Sequence, residues 1–170
     1  VNDAGDVLVF LPGQAEIART AQLLNDAGDT VDVIPLYGAM PLDAQDRAIR
    51  ASPGGRRKVV LATSIAETSL TIEGVRVVVD SGLSRVPRFD ARSGMTRLAT
   101  TRVSHDSADQ RRGRAGRVAP GVCYRLWAEG DDAQLLAHRT PEILEADLAA
   151  LALELAAHGV ADARTLRWLD

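Results

Sequence analysis

Four arginines fall within Arg111–Arg117, interleaved with Gly113 and Gly116 and preceded by Gln110. A guanidinium is always charged, planar and forked, so it can hold two phosphate oxygens at once. Arg111, Arg114 and Arg117 recur at the spacing that sets side chains along one face of a helix. Cations held side by side repel one another unless an anion lies between them. The competing reading is a solvated basic turn, the commonest fate of a short arginine run. The glycines weigh against it. Each costs about 1 kcal/mol against alanine inside a helix, and such a cost usually has a packing or ligand-approach reason.

A second constellation runs from Ala62 to Gly74, with hydroxyls at Thr63, Ser64, Thr68, Ser69 and Thr71 directly after a buried strand. Helix capping and hydroxyl turns need fewer of them. The rest of a nucleotide site is missing. Lys58, the only lysine, has no phosphate-cradling glycine loop before it, and there is neither a G-x-G-x-x-G nor a pair of acids suited to magnesium. His105, His138 and His158 are scattered and lack partners at metal-ligand spacing. A phosphoryl-transfer site needs a cradle, a metal-bound acid and cations on the transferred group. Only the cations are present, which reads as half of an active site: a domain supplying arginine fingers to a nucleotide held elsewhere.

The elements that must position these groups are legible. Val7–Leu11 and Val59–Ala62 are apolar runs of buried-strand type, and Val31–Leu36 and Val75–Val79 read as two further strands. Helical patterns lie between them: Ile17, Ala21 and Leu24 with a stop at Gly28, then Pro41–Ile49, the loop 52–55, and a short helix near Ala66. Strand and helix in alternation predict an α/β domain with a parallel sheet. In such sheets ligands bind beyond the carboxyl ends of the strands. Pro12-Gly13, Tyr37-Gly38, Thr63-Ser64 and Ser81-Gly82 all fall there.

Residues 85–98 break the alternation and predict a projecting β-hairpin turning at Ser93-Gly94. A helix over 106–113 then leads into the arginines, and Gly121–Leu126 returns as a strand. Thr140-Pro141-Glu142 is a good helix start, and Leu144, Leu148, Leu151 and Leu155 extend the expected helix to about His158.

Composition sets the class. With 46% hydrophobic and 25% charged residues the chain is an ordinary globular one, without an apolar run of membrane-span length. The polar start carries no signal peptide, and Val1 in place of methionine points to a piece of something longer. A single cysteine, Cys123, excludes an internal disulfide and favours a reducing, cytoplasmic setting; its plainest role is a small apolar residue in a strand. Net charge is −3, yet nine arginines against three acids lie between Arg85 and Arg117, a local polyanion footprint.

Q-R-x-G-R-A-G-R at 110–117 resembles motif VI of the DEAH-box ATP-dependent RNA helicase family. Residues 62–72 resemble its motif V, A-T-N-I-A-E-T-S-L-T-I, with Ser64 where asparagine is usual. Residues 9–17 resemble motif IV and residues 35–38 motif IVa. The wording from Gly121 to Trp127 and from Pro141 to Leu144 is most similar to the bacterial HrpB-type branch. The resemblance covers nearly the whole chain and implies a RecA-like fold: residues 1–139 as the second motor lobe, then 140–170 as the link into a winged-helix and C-terminal helical region.

By the same resemblance Arg114 and Arg117 face the γ-phosphate, and Gln110 faces phosphate or water. Ser69, Thr71 and Glu73 face ribose and metal-bound phosphates, with Glu73 where aspartate is commoner. Gly13, Gly38, Thr63 and Ser64 lie on the nucleic-acid backbone, and Ile49 takes the place of an aromatic residue that stacks on adenine. ATP and Mg2+ are the implied cofactors, held mainly by a first RecA-like lobe not contained in these residues. The implied partners are that lobe and RNA, single-stranded or a duplex with an overhang, with DNA also open. A non-catalytic RNA- or protein-binding module that retains a motor fold is the alternative.

Overall fold

A computed structural model describes residues 5–27, 30–52, 55–68, 70–117 and 119–168. The Gly28 stop, Pro53-Gly54 and Ser69 lie outside them. Five strands form a parallel sheet: β1 (Asp6–Phe10), β2 (Asp32–Leu36), β3 (Lys58–Ala62), β4 (Val75–Asp80) and β7 (Val122–Arg125), in the order β2-β3-β1-β4-β7. β1 lies centrally, with Val9 opposite Leu61 of β3 and Val79 of β4. All five residues of β3 are buried, as a strand covered on both faces must be.

The two-residue period of a strand sorts these residues onto two faces. Leu8, Phe10, Val60, Ala62 and Val78 pack on one side with Ala48, Ala66 and Ala115. Val7, Val9, Val59 and Leu61 face the other with Ile17, Ala21 and Leu24. The chain crosses from β1 to β2 in one direction and returns from β2 to β3 in the other. Right-handed crossovers therefore set α1 (Gln14–Asp26) and α2 (Leu42–Ile49) on opposite faces. Cys123 of β7 packs against the first cluster, and burial pushes its thiol up, in keeping with an apolar role.

Gly121, at the entry to β7, is fixed by space. A Cβ there would lie 2.2 Å from the Ala115 carbonyl oxygen and 2.5 Å from that of Arg76. The chain leaving the arginine stretch must pass this close to reach the sheet.

The expected hairpin is present as β5 (Leu83–Asp90) and β6 (Met95–Arg102). The Asp90 carboxylate closes its turn by accepting from the Arg92 amide and the Ser93 hydroxyl. α3 (Ile65–Thr68), α4 (His105–Gly113) and α5 (Glu129–Asp132) complete the helices up to residue 139. The chain divides into two compact units, residues 1–86 with 100–139, and residues 87–99 with 140–170. Within the second, the Phe89 amide donates to the Glu145 carbonyl at 3.1 Å and Arg88 pairs with Glu145 at 3.3 Å.

The long helix expected from 140 to 158 is not formed. A 3-10 turn spans Glu142–Leu144, and α6 begins only at Ala149, running to Ala157. The Asp147 carboxylate accepts from the Ala149 amide at 2.9 Å, so its side chain competes with continued helix and starts a new one instead. Leu144, which the leucine spacing placed on the helix, is 73% exposed.

Candidate functional site

The carboxyl ends of the parallel strands share one edge. Gly13 follows β1, Gly38 follows β2, Thr63-Ser64 follow β3 and Ser81-Gly82 follow β4. Backbone bonds stitch these loops together: Leu11 N–H to the Ala62 carbonyl (2.8 Å), Thr63 N–H to Leu36 (3.1 Å) and Ser81 N–H to Phe10 (3.2 Å). Gly13 has ordinary extended backbone, but the Arg85 guanidinium lies across it, so that a Cβ would sit 2.8 Å from Nη1. Gly38 is exposed, and a Cβ there would meet only Ile65 at 3.9 Å. Nothing among the described residues requires its smallness. Ser64 and Gln110 both line a cleft of about 270 Å3 between α3 and α4, with Glu67, Thr68, Ser107 and Arg139.

Thr71, Glu73, Arg114 and Arg117 gather at the opposite edge, where β4 and β7 begin. Segment 62–74 leaves the carboxyl end of β3 and reaches the amino end of β4. The arginine stretch descends from α4 toward Gly121. Arg117 Nη1 donates to Thr71 Oγ1 at 2.7 Å. Arg114 donates to the Leu70 carbonyl at 2.7 Å and to the Glu67 carbonyl. The Glu73 amide donates to the Ile49 carbonyl at 3.0 Å, which brings the end of α2 beside Glu73. Arg114 and Arg117 line one small cleft with Thr71, Ile72, Leu8 and Val75.

Arg117, Thr71, Glu73 and Gln110 are exposed, whereas Arg114 is 7% exposed. Burial, and the like charge of Arg117 next, push the Arg114 guanidinium down from its ordinary value, with Glu67 opposing. An exposed guanidinium beside a hydroxyl, backed by a second guanidinium, is a donor set that fits a polyphosphate. No cluster of metal-ligating side chains occurs among the described residues, and Glu73 is the one exposed carboxylate of this set.

Arg111 does not share a working face with Arg114 and Arg117. α4 ends at Gly113, and Arg114 and Ala115 continue as a turn closed onto Arg111 and Arg112. Arg111 is fully buried. Its Nε donates to Glu67 Oε1 at 2.8 Å and its Nη1 to Asp80 Oδ1 at 2.7 Å, while the guanidinium stacks 4.8 Å over the Phe10 ring. Glu67 Oε2 pairs with Arg139 at 3.1 Å, so two carboxylates balance two guanidiniums. Glu67 is thus central: its side chain holds Arg111 and Arg139, and its carbonyl holds Arg114.

Sequence reading missed Glu67, Asp80 and Arg111 as a unit. A signal existed in Asp80 closing the apolar strand Val75–Val79 and Glu67 standing next to buried Ala66, two acids placed to be buried and so in need of cations. Gly113 is the last residue of α4 and Gly116 lies outside it, and a Cβ at either would meet nothing within 4 Å among the described residues, so packing there does not explain them.

Residues 1–119 match the model of the family described as helicase conserved C-terminal domain. The ATP-dependent RNA helicase HrpB of Escherichia coli K12 is 51% identical over 169 residues, 99% of this chain and 21% of that protein. The pre-mRNA-splicing factor ATP-dependent RNA helicase prp22 of Schizosaccharomyces pombe is 42% identical across 98% of this chain and 15% of its own length. A crystal structure of the E. coli DExH-box NTPase HrpB superposes with a TM-score of 0.91 at 50% identity, covering 99% of this chain and 21% of that one. The sheet and its flanking helices are therefore those of a RecA-like helicase lobe, and the chain belongs to the helicase conserved C-terminal domain family.

Proposed function

We propose that this chain is the second motor lobe of a DEAH-box, HrpB-like ATP-dependent RNA helicase, with residues 1–139 as the lobe and 140–170 as the link into a winged-helix region. One observation carries the reading. The arginine stretch and residues 70–73 meet at one sheet edge, the loops with Gly13, Gly38, Thr63 and Ser64 meet at the other, and segment 62–74 spans the two.

Arg117 is exposed and, among the described residues, bonds the Thr71 hydroxyl, which a γ-phosphate oxygen can replace as its acceptor. Arg114, fastened to the Glu67 and Leu70 carbonyls, adds positive charge from behind and holds those two residues in place. Ser69, Thr71 and Glu73 face ribose and the metal-bound phosphates, and Ile49 offers an apolar wall to the base; Gln110, expected to face phosphate or water, lies instead in the Ser64 cleft between α3 and α4. ATP and Mg2+ are held mainly by the first lobe, which supplies the cradle and the metal-binding acids.

At the other edge backbone amides and the Thr63 and Ser64 hydroxyls hold the RNA backbone. A shift of Arg114 and residues 70–73 at one edge, passed through the Glu67 carbonyl, moves residues 63–64 at the other, which couples lobe closure on ATP to a step along RNA. The β5–β6 hairpin guides or parts the strands.

The purified 170-residue chain is expected to show no ATP hydrolysis above background, because it carries arginines without a cradle or metal acids. Hydrolysis by this chain, abolished by a substitution at Arg117, would mean a complete site and defeat the reading.

A further inference from the structure

Lys58 is fully buried at the first position of β3. A buried ammonium is expensive unless its protons are hydrogen-bonded. Desolvation pushes this one down from its ordinary range, with the carboxylates of Asp6 and Glu73 opposing. Its Nζ donates to the Ala48 carbonyl at 3.0 Å and to the Arg50 carbonyl at 2.5 Å. The carbonyl between them, that of Ile49, receives the Glu73 amide at 3.0 Å. Three consecutive carbonyls at the end of α2 are thus captured, two by Lys58 and one by Glu73.

The anchor point is itself rigid. The Lys58 amide donates to Asp6 Oδ1 at 2.8 Å, and the Asp6 amide donates to the Gly74 carbonyl at 2.9 Å. Gly74 has φ +82°, and a Cβ there would lie 2.6 Å from Asp6 Oδ2. The starts of β1, β3 and β4 therefore form one knot, from which the lysine reaches out to the helix end. An ordinary helix end needs no such partner, since its last carbonyls can be solvated or held by a glycine turn. Arg50, the C-cap of α2, has an exposed side chain, while its carbonyl turns to the buried ammonium.

We propose that Lys58 is a positioning residue of the nucleotide site, fixing Ile49 against the Glu73 turn so that its side chain forms the wall on which the base rests. The inference rests on the reading of Ile49 and Glu73 given above. It deepens that reading by assigning base binding to a lysine that touches no nucleotide.

The test uses the full-length enzyme, with Lys58→Gln and Ile49→Ala compared for the KM of ATP and of UTP, for kcat, and for RNA affinity without nucleotide. A displaced apolar wall is expected to raise the KM of ATP about tenfold. UTP, with a smaller base on the wall, should lose less, so the ratio of the two KM values moves. RNA affinity, set at the far edge of the sheet, should stay within about twofold. An ATP-specific rise for both variants supports the inference. A rise for Ile49→Ala alone overturns it while leaving the wall intact, and no change for Ile49→Ala removes the wall and the inference together. Equal losses for ATP, UTP and RNA would make Lys58 a purely structural residue. If Lys58→Gln does not fold, hydrogen exchange of the wild-type enzyme decides: ADP should slow peptides 46–58 and 70–75 together, and slowing of 70–75 alone overturns the inference.

Discussion

Arg117→Lys in the full-length enzyme is expected to lower ATP turnover on the order of a thousandfold while leaving RNA affinity without nucleotide nearly unchanged. Lysine keeps the charge but loses the planar fork, so it cannot hold two γ-phosphate oxygens at once. Arg117 is exposed and, among the described residues, its side chain bonds Thr71 Oγ1, a neutral and replaceable acceptor. An arginine that served only as an electrostatic RNA contact would respond differently. A charge-preserving swap would hardly move RNA affinity across a salt series, and turnover would follow RNA binding rather than fall away from it. Single-turnover hydrolysis beside RNA titration at several salt concentrations separates the two. Near-normal hydrolysis would take Arg117 out of the nucleotide site.

Arg111→Gln should act on stability instead. Arg111 is fully buried and bridges Glu67 and Asp80, whose carboxylates are 6% and 0% exposed. Removing one partner of a buried ion network leaves the others uncompensated and costs roughly 3–5 kcal/mol. Urea unfolding of the 170-residue chain should show a loss of this size. Neutralising the acids as well, in the triple variant Arg111→Met, Glu67→Gln, Asp80→Asn, should restore much of it, because no buried charge is then left alone. A loss under about 1 kcal/mol for Arg111→Gln would place these charges in contact with water and contradict the buried network. Glu67 also links this network to Arg114 through its own carbonyl, so the charge pair and the arginine stretch are parts of one device.

Sequence showed the sheet well because its signals are local. Unbroken runs such as Val59–Ala62 must be buried on both faces, and the alternation with helical patterns leaves a parallel sheet as the natural solution. The placing of Gly13, Gly38 and Thr63 at one edge followed directly from that. The destinations of individual guanidiniums were not legible. Periodicity put Arg111, Arg114 and Arg117 on one face, but the acids that draw Arg111 inward lie 44 and 31 residues away. The helix after Thr140 was overextended for a related reason: the leucine spacing runs through Asp147, and a side chain that bonds the backbone ahead of it outweighs periodicity. The role of Lys58 was hidden as well, since a lysine opening a strand reads as a solvated edge until the carbonyls around it are seen.

The central claim is that nucleotide and RNA meet this lobe at opposite edges of one sheet. Photo-crosslinking of the full-length enzyme with 8-azido-ATP and with 4-thiouridine RNA, followed by peptide mapping, tests it most directly. Nucleotide label is expected on peptides covering 46–50, 70–75 and 114–117, and RNA label on 10–14, 36–40 and 62–66. Both labels on the same set of peptides, or RNA label on 114–117 with no nucleotide label in this lobe, would contradict the account.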